Sequence, residues 1–125
     1  MNPKWIFSLI SVLLFLSMVG CQGTKFTCKK SSDFSDSAEG GKITIAWDSN
    51  TESFLGGYKV YYGTSPNQYK ACVDVGKVTE SSPGTSQYTL IGLIKGKTYY
   101  IAVTAYAKDS FLNSGFSNEI SGIAK

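Results

Sequence analysis

The stretch Thr98–Tyr106, Thr-Tyr-Tyr-Ile-Ala-Val-Thr-Ala-Tyr, constrains this chain more than any other. It is aromatic and β-branched almost throughout, and such residues suit a pleated, half-buried surface. Alternation with period two puts Tyr99, Ile101 and Val103 on one face and Tyr100, Thr104 and Tyr106 on the other. A strand apolar on one side and half-apolar on the other belongs in the middle of a sheet. The chain has 125 residues, enough for one domain built around that strand and a short leader. With 42% hydrophobic and 17% charged residues, its bulk has the composition of a folded domain.

The leader is the second strong signal. Lys4 gives Met1–Gly20 a positive start, and an apolar run follows from Trp5 to Val19, broken only by Ser8, Ser11 and Ser17. The run is short for a membrane span and suits a secretory signal. Its ending, Ser17-Met18-Val19-Gly20-Cys21, resembles the lipobox of bacterial lipoproteins, with Met18 where Leu is usual. That resemblance implies a diacylglyceryl group on the sulfur of Cys21 and cleavage that leaves Cys21 first. Several acyl chains anchor a protein stably where one is marginal. It also implies a cell-envelope address, and with Gln22 rather than Asp after the Cys, the outer membrane if the host is Gram-negative. An ordinary signal peptide with an incidental Cys21 is the alternative.

Residues 21–41 are small and polar, without a clear period, and read as a flexible tether. Phe26 and Phe34 are the exceptions, and one of them is a candidate to dock on the domain. Lys25, Lys29 and Lys30 form a cluster suited either to anionic headgroups or to solvent. From residue 42 to 125 the pattern becomes regular. Strands are expected at Lys42–Trp47, Tyr58–Tyr62, Tyr69–Val75, Gln87–Ile91, Thr98–Tyr106 and Asn118–Ala124. Tyr69–Val75 is interrupted by Lys70 and Asp74 and is expected at an edge. Ile120 and Ile123 are three apart, which suggests a bulge at Gly122. Short strands, Gly-rich turns and no helical period predict an all-β antiparallel sandwich.

Four separated motifs, in order, then resemble a fibronectin type III domain of the bacterial kind. They are Ile43-Thr44-Ile45-Ala46-Trp47-Asp48, Gly57-Tyr58-Lys59-Val60-Tyr61-Tyr62-Gly63, Leu93 with Gly96–Tyr106, and Ser114–Ile120. The resemblance covers about Lys42 to Ala124. It implies that Trp47 is the core tryptophan of strand B. It implies that Tyr99 is the tyrosine corner, its hydroxyl bonded to backbone near Leu93. Strand A, with its usual Pro, is not evident: it is either absent or replaced irregularly by Phe34 and its neighbours.

Catalysis finds little support. The positive charges, net +3, are all Lys; the chain has no His and no Arg. Without His, the commonest general base and metal ligand is missing and a Ser-His-Asp triad is impossible. Without Arg, bidentate phosphate recognition is missing, so nucleic-acid binding is not expected. Asp48 with Glu52, and Asp109 with Glu119, lack the carboxylate density of a calcium site. The expectation is therefore no enzyme, no cofactor and no metal.

Two function classes remain. One is a membrane-anchored extracytoplasmic binding or spacer module meeting a protein or glycan. The other is a structural subunit of a cell-envelope assembly. Reversible, saturable binding favours the first, and salt-resistant copurification with fixed partners favours the second. Strand parity puts Tyr61, Tyr100 and Tyr106 on one outer face beside Lys59 and Thr104, a candidate contact surface; cross-strand pairs that merely stabilise the sheet are the alternative. With Cys21 lipidated, Cys28 and Cys72 remain as a pair in an oxidising setting, which points to a disulfide rather than two free thiols.

Overall fold

The computed structural model describes residues 27–35, 39–109 and 112–125. The leader and Cys21 lie outside the described residues. Eight strands run in order: β1 (Lys29–Lys30), β2 (Gly41–Asp48), β3 (Leu55–Gly63), β4 (Ala71–Gly76), β5 (Glu80–Ser82), β6 (Thr85–Leu93), β7 (Thr98–Ala107) and β8 (Ile120–Ile123). They form two sheets, β1-β4-β3-β7-β8 and β2-β6-β5. Every pairing is antiparallel except β1 with β4. The protein is an all-β fold of two sheets that share one apolar core.

The alternation in β7 accounts for its place. Tyr99, Ile101, Val103, Ala105 and Ala107 are buried on the inner face. There they meet Tyr58 and Val60 of β3, and Ile45, Trp47 and Leu90 from the smaller sheet. β7 lies between β3 and β8, so both of its backbone edges are paired. In β2, Ile43, Ile45 and Trp47 face inward, while Lys42, Thr44, Ala46 and Asp48 are exposed. Trp47 packs edge-on against Tyr58 with ring centroids 5.1 Å apart.

The turn before β7 fixes the Tyr99 hydroxyl. The Lys97 N–H donates to the Ile94 carbonyl at 3.2 Å, closing a four-residue turn. Gly96 takes its third position with φ +79°, which a side chain would strain. The turn brings the Ile94 N–H to the Tyr99 hydroxyl at 3.0 Å, the backbone contact that the sequence placed near Leu93. Tyr99 is 7% exposed, so removing its oxygen leaves that amide short of an acceptor. Tyr99→Phe is expected to cost about 1–3 kcal/mol in urea unfolding. A variant as stable as the parent sets aside the role given to this hydroxyl.

Several expectations change. Tyr69–Val75 does not form an edge, because β1 pairs with β4 on its outer side. The polar stretch before Gly41 is not irregular throughout. Besides β1 it holds a 3₁₀ turn at Ser31–Asp33, where the Lys30 N–H donates to Asp33 Oδ2 at 3.1 Å. Phe34 packs against the core. The loop Lys77–Thr85 contains the short strand β5. No bulge marks Gly122: β8 pairs with β7 in unbroken register from Ile120–Ile101 to Ile123–Thr98. Ile120 and Gly122 turn inward and Ile123 outward, with Gly122 seated where a Cβ would lie 3.7 Å from Ile43.

The last strand is also shorter than Asn118–Ala124. Residues 112–119 run along β7 irregularly, and two serines carry the pairing. Ser114 Oγ accepts from the Ala105 N–H at 2.7 Å and Ser117 Oγ from the Val103 N–H at 2.9 Å. Hydroxyls stand in for carbonyls here, a substitution open to Ser because its side chain reaches neighbouring backbone.

Candidate functional site

The outer face of the five-stranded sheet carries the side chains singled out in the sequence. Register places Tyr61 opposite Ala102, Lys59 opposite Thr104, Gly63 opposite Tyr100 and Gly57 opposite Tyr106. Tyr61, Tyr100 and Tyr106 therefore do share one face, but they do not form a single patch. Tyr61 and Tyr106 stand four residues apart along the sheet, about 13 Å, with the Lys59–Thr104 pair between them.

Each end has its own partners. At one end Tyr61, Tyr69 and Phe116 form an aromatic cluster. Phe116 meets Tyr61 edge-on at 4.9 Å and Tyr69 at 5.2 Å, and Tyr61 lies 6.3 Å from Tyr69. The Tyr69 hydroxyl donates to Glu119 Oε2 at 2.7 Å, and the Asn67 N–H donates to the same oxygen at 2.8 Å. Asn67 has φ +56°, the left-handed conformation that Asn tolerates, and this aims its amide at the carboxylate. Burial, followed by the Glu119 hydrogen bond and charge, pushes the Tyr69 phenol well above its ordinary range. Burial also raises that of Tyr61. Phe116 remains 41% exposed, so it covers Tyr61 and is itself the accessible ring.

At the other end the Tyr106 hydroxyl donates to Asp74 Oδ1 at 2.8 Å, and the Gly76 N–H donates to the same oxygen at 3.0 Å. Lys59 Nζ sits 5.1 Å from the centre of the Tyr106 ring, within cation–π range. Gly57 makes room, since a Cβ there would come 2.6 Å from the Tyr106 oxygen. Burial first, and then the hydrogen bond and charge of Asp74, push the Tyr106 phenol up to about 12. Tyr100 lies on this face between Gly63 and Ser121.

Cys28 and Cys72 are joined by a disulfide, with their Cα atoms 4.7 Å apart. Cys72 pairs with Tyr61 in the register of β3 and β4, so the bridge lies beside the aromatic cluster. Sequence reasoning did not bring Tyr69, Phe116, Glu119 or Asp74 to this face. The only signal was the excess of aromatic residues in the turns around them. Among the described residues, no group of three or more acidic or Cys side chains is placed to hold a metal ion, and no helix is long and apolar enough to cross a membrane. The face offers rings, phenol hydroxyls, the carboxylates of Asp74 and Glu119, and the amines of Lys59 and of Lys30, which lies opposite Asp74. Comparison with protein-family models, curated proteins and solved structures finds no match for this chain.

Proposed function

We propose that this chain is a lipid-anchored, extracytoplasmic binding or spacer module, non-catalytic, whose outer sheet face meets a protein or a glycan. The observation that carries the reading is the Cys28–Cys72 bridge. Stable disulfides belong to oxidising compartments. The bridge uses two of the three cysteines and leaves Cys21, at the end of the apolar leader, as the single one. Acyl chains on Cys21 would hold the domain at a membrane. On this reading the domain is of the fibronectin type III kind. Support comes from the strand orders β2-β6-β5 and β4-β3-β7-β8, which suit an immunoglobulin-like sandwich, the architecture that fibronectin type III domains share. The bonded hydroxyl of Tyr99 supports it further. On the outer face the exposed ring of Phe116, backed by Tyr61 and Tyr69, offers contact area at low entropic cost.

Mass spectrometry of the mature protein from its native host tests the anchor. The expected N-terminus is Cys21 carrying acyl chains, and Cys21→Ser is expected to leave the membrane fraction. A free, unacylated terminus, or cleavage elsewhere, overturns the reading.

A further inference from the structure

β2 has an open side. In the smaller sheet it pairs with β6 alone, over Gly41–Asp48. An antiparallel strand turns the backbone groups of alternate residues to opposite edges. Lys42 marks the edge away from β6, because its N–H and C=O exchange bonds of 2.9 and 3.1 Å with Lys125. With period two, Thr44 and Ala46 present their N–H and C=O groups to that same edge. There they find no partner strand among the described residues. The Lys42–Lys125 pair is thus a ladder that no described strand continues.

Beneath this row the two sheets part. A cleft of about 230 Å³ opens there, walled by Ile45, Trp47 and Asp48 of β2, Ile101 of β7 and Ile120 of β8, with the polar Ser117 and Asn118 also lining it. Ile120 remains 42% exposed although it turns inward. Trp47 beside the cleft is only 6% exposed, and among the described residues its indole N–H has no acceptor.

We propose that this edge is a strand-acceptor site, which binds an extended segment of another polypeptide. The segment would pair its backbone with Thr44 and Ala46 and insert apolar side chains, at alternate positions, between Ile45, Trp47 and Ile120. Main-chain bonds supply affinity in such strand addition, and the pocket for alternate side chains supplies selectivity. A second copy of this chain does not meet the requirement through β2, because the inward side chains of its β2, Ile45 and Trp47, are already committed to its own core. Residues 28–30 of the same chain are pinned elsewhere: the Cys28–Cys72 bridge and β1 hold them at β4, across the larger sheet from β8. The occupant is a free, extended segment with apolar residues on one face and no charge at the inward positions. This site is separate from the outer sheet face, and it does not depend on the acylation of Cys21.

Amide exchange and proton–nitrogen NMR of the full chain in detergent test the proposal. The probe is a capped seven-residue peptide, Lys-Val-Thr-Ile-Thr-Val-Lys, at millimolar concentration. Exchange of the Thr44 and Ala46 amides is expected to slow by about tenfold or more near saturation, because a bound amide exchanges only from the free fraction. The Trp47 indole signal is expected to shift. A peptide with its central Ile replaced by Asp, and one N-methylated at alternate amides, are expected to lose both effects. Ala46→Pro removes the edge donor without touching the β6 ladder, a change edge strands tolerate, and it is expected to fold and to lose binding. Three results overturn the proposal. The first is unchanged exchange at Thr44 and Ala46. The second is an N-methylated peptide that binds as well as the parent. The third is protection of these amides before peptide is added, which means that this chain or a second copy already covers the edge.

Discussion

Trp47→Ala is expected to lower the unfolding free energy by about 3–5 kcal/mol, the range for truncating a buried aromatic ring. The ring sits at the centre of the core, 6% exposed, with its edge contact to Tyr58 on the facing sheet. Its removal leaves Tyr58 and Ile45 lining a void that two paired sheets cannot close. Trp47→Phe separates packing from polarity. It keeps a ring of smaller volume and deletes the indole N–H, which has no acceptor among the described residues. Its cost is expected to fall well below that of Trp47→Ala, since relief of the unpaired donor offsets part of the lost contact. Urea unfolding of the three proteins side by side checks this. A Trp47→Ala protein that unfolds within about 1 kcal/mol of the parent removes Trp47 from the core account.

Breaking the bridge is the second large effect. Cys28 and Cys72 are 44 residues apart in sequence, and closing a loop of that length lowers the entropy of the unfolded chain by about 4 kcal/mol in the chain-entropy model. Cys28→Ser with Cys72→Ser is expected to lose about 2–4 kcal/mol, the upper end being reached only if β1 detaches from β4. Cys72 is 3% exposed, whereas β1 is exposed along both of its residues. The loss should therefore be felt first at β1, as fast amide exchange at Lys29 and Lys30, with the β3–β7 pair still protected. Thiol titration of the unfolded, unreduced parent gives the complementary measurement. Two reactive thiols besides Cys21 set the bridge aside.

The parts of this fold that could be read from the sequence are those in which a strand pattern agrees with its burial. β7, β3 and β2 carry period-two alternation over most of their length, and their inward residues supply the core, although in β7 the outward Ala102 and Thr104 are buried too. The hydroxyl bond of Tyr99 was expected only through a family resemblance, not from the spacing of its residues. β1 was not legible: Lys29-Lys30 has no period, and its strand state is set by β4 and the bridge. β8 misled because apolar residues were counted rather than places. Gly122 holds an inward place by being small, and Ile123 faces out at 58% exposure.

On the outer face, parity alone put Tyr61 and Tyr106 on the correct side. It could not foresee that Phe116 covers Tyr61. That contact depends on residues 112–119 being held along β7 by backbone bonds and two serine hydroxyls. Nor could it pair Tyr69 with Glu119, 50 residues later, because two loops meet there and neither has a periodic signal.

The bridge also sets a length. On the lipid-anchored reading the chain is fixed to the bilayer at Cys21, and the domain would begin its regular structure at Gly41, a leash of about 70 Å when drawn out. Clamping Cys28 to β4 shortens that leash to seven residues, about 24 Å at full stretch. On that reading the domain would be confined to a shallow layer above the headgroups, tethered through the β1–β4 border, while the open border of β2 lies beside β8, at the other end of the larger sheet. On the same reading, reduction of this bond together with release of β1 from β4 would nearly triple the length of the leash.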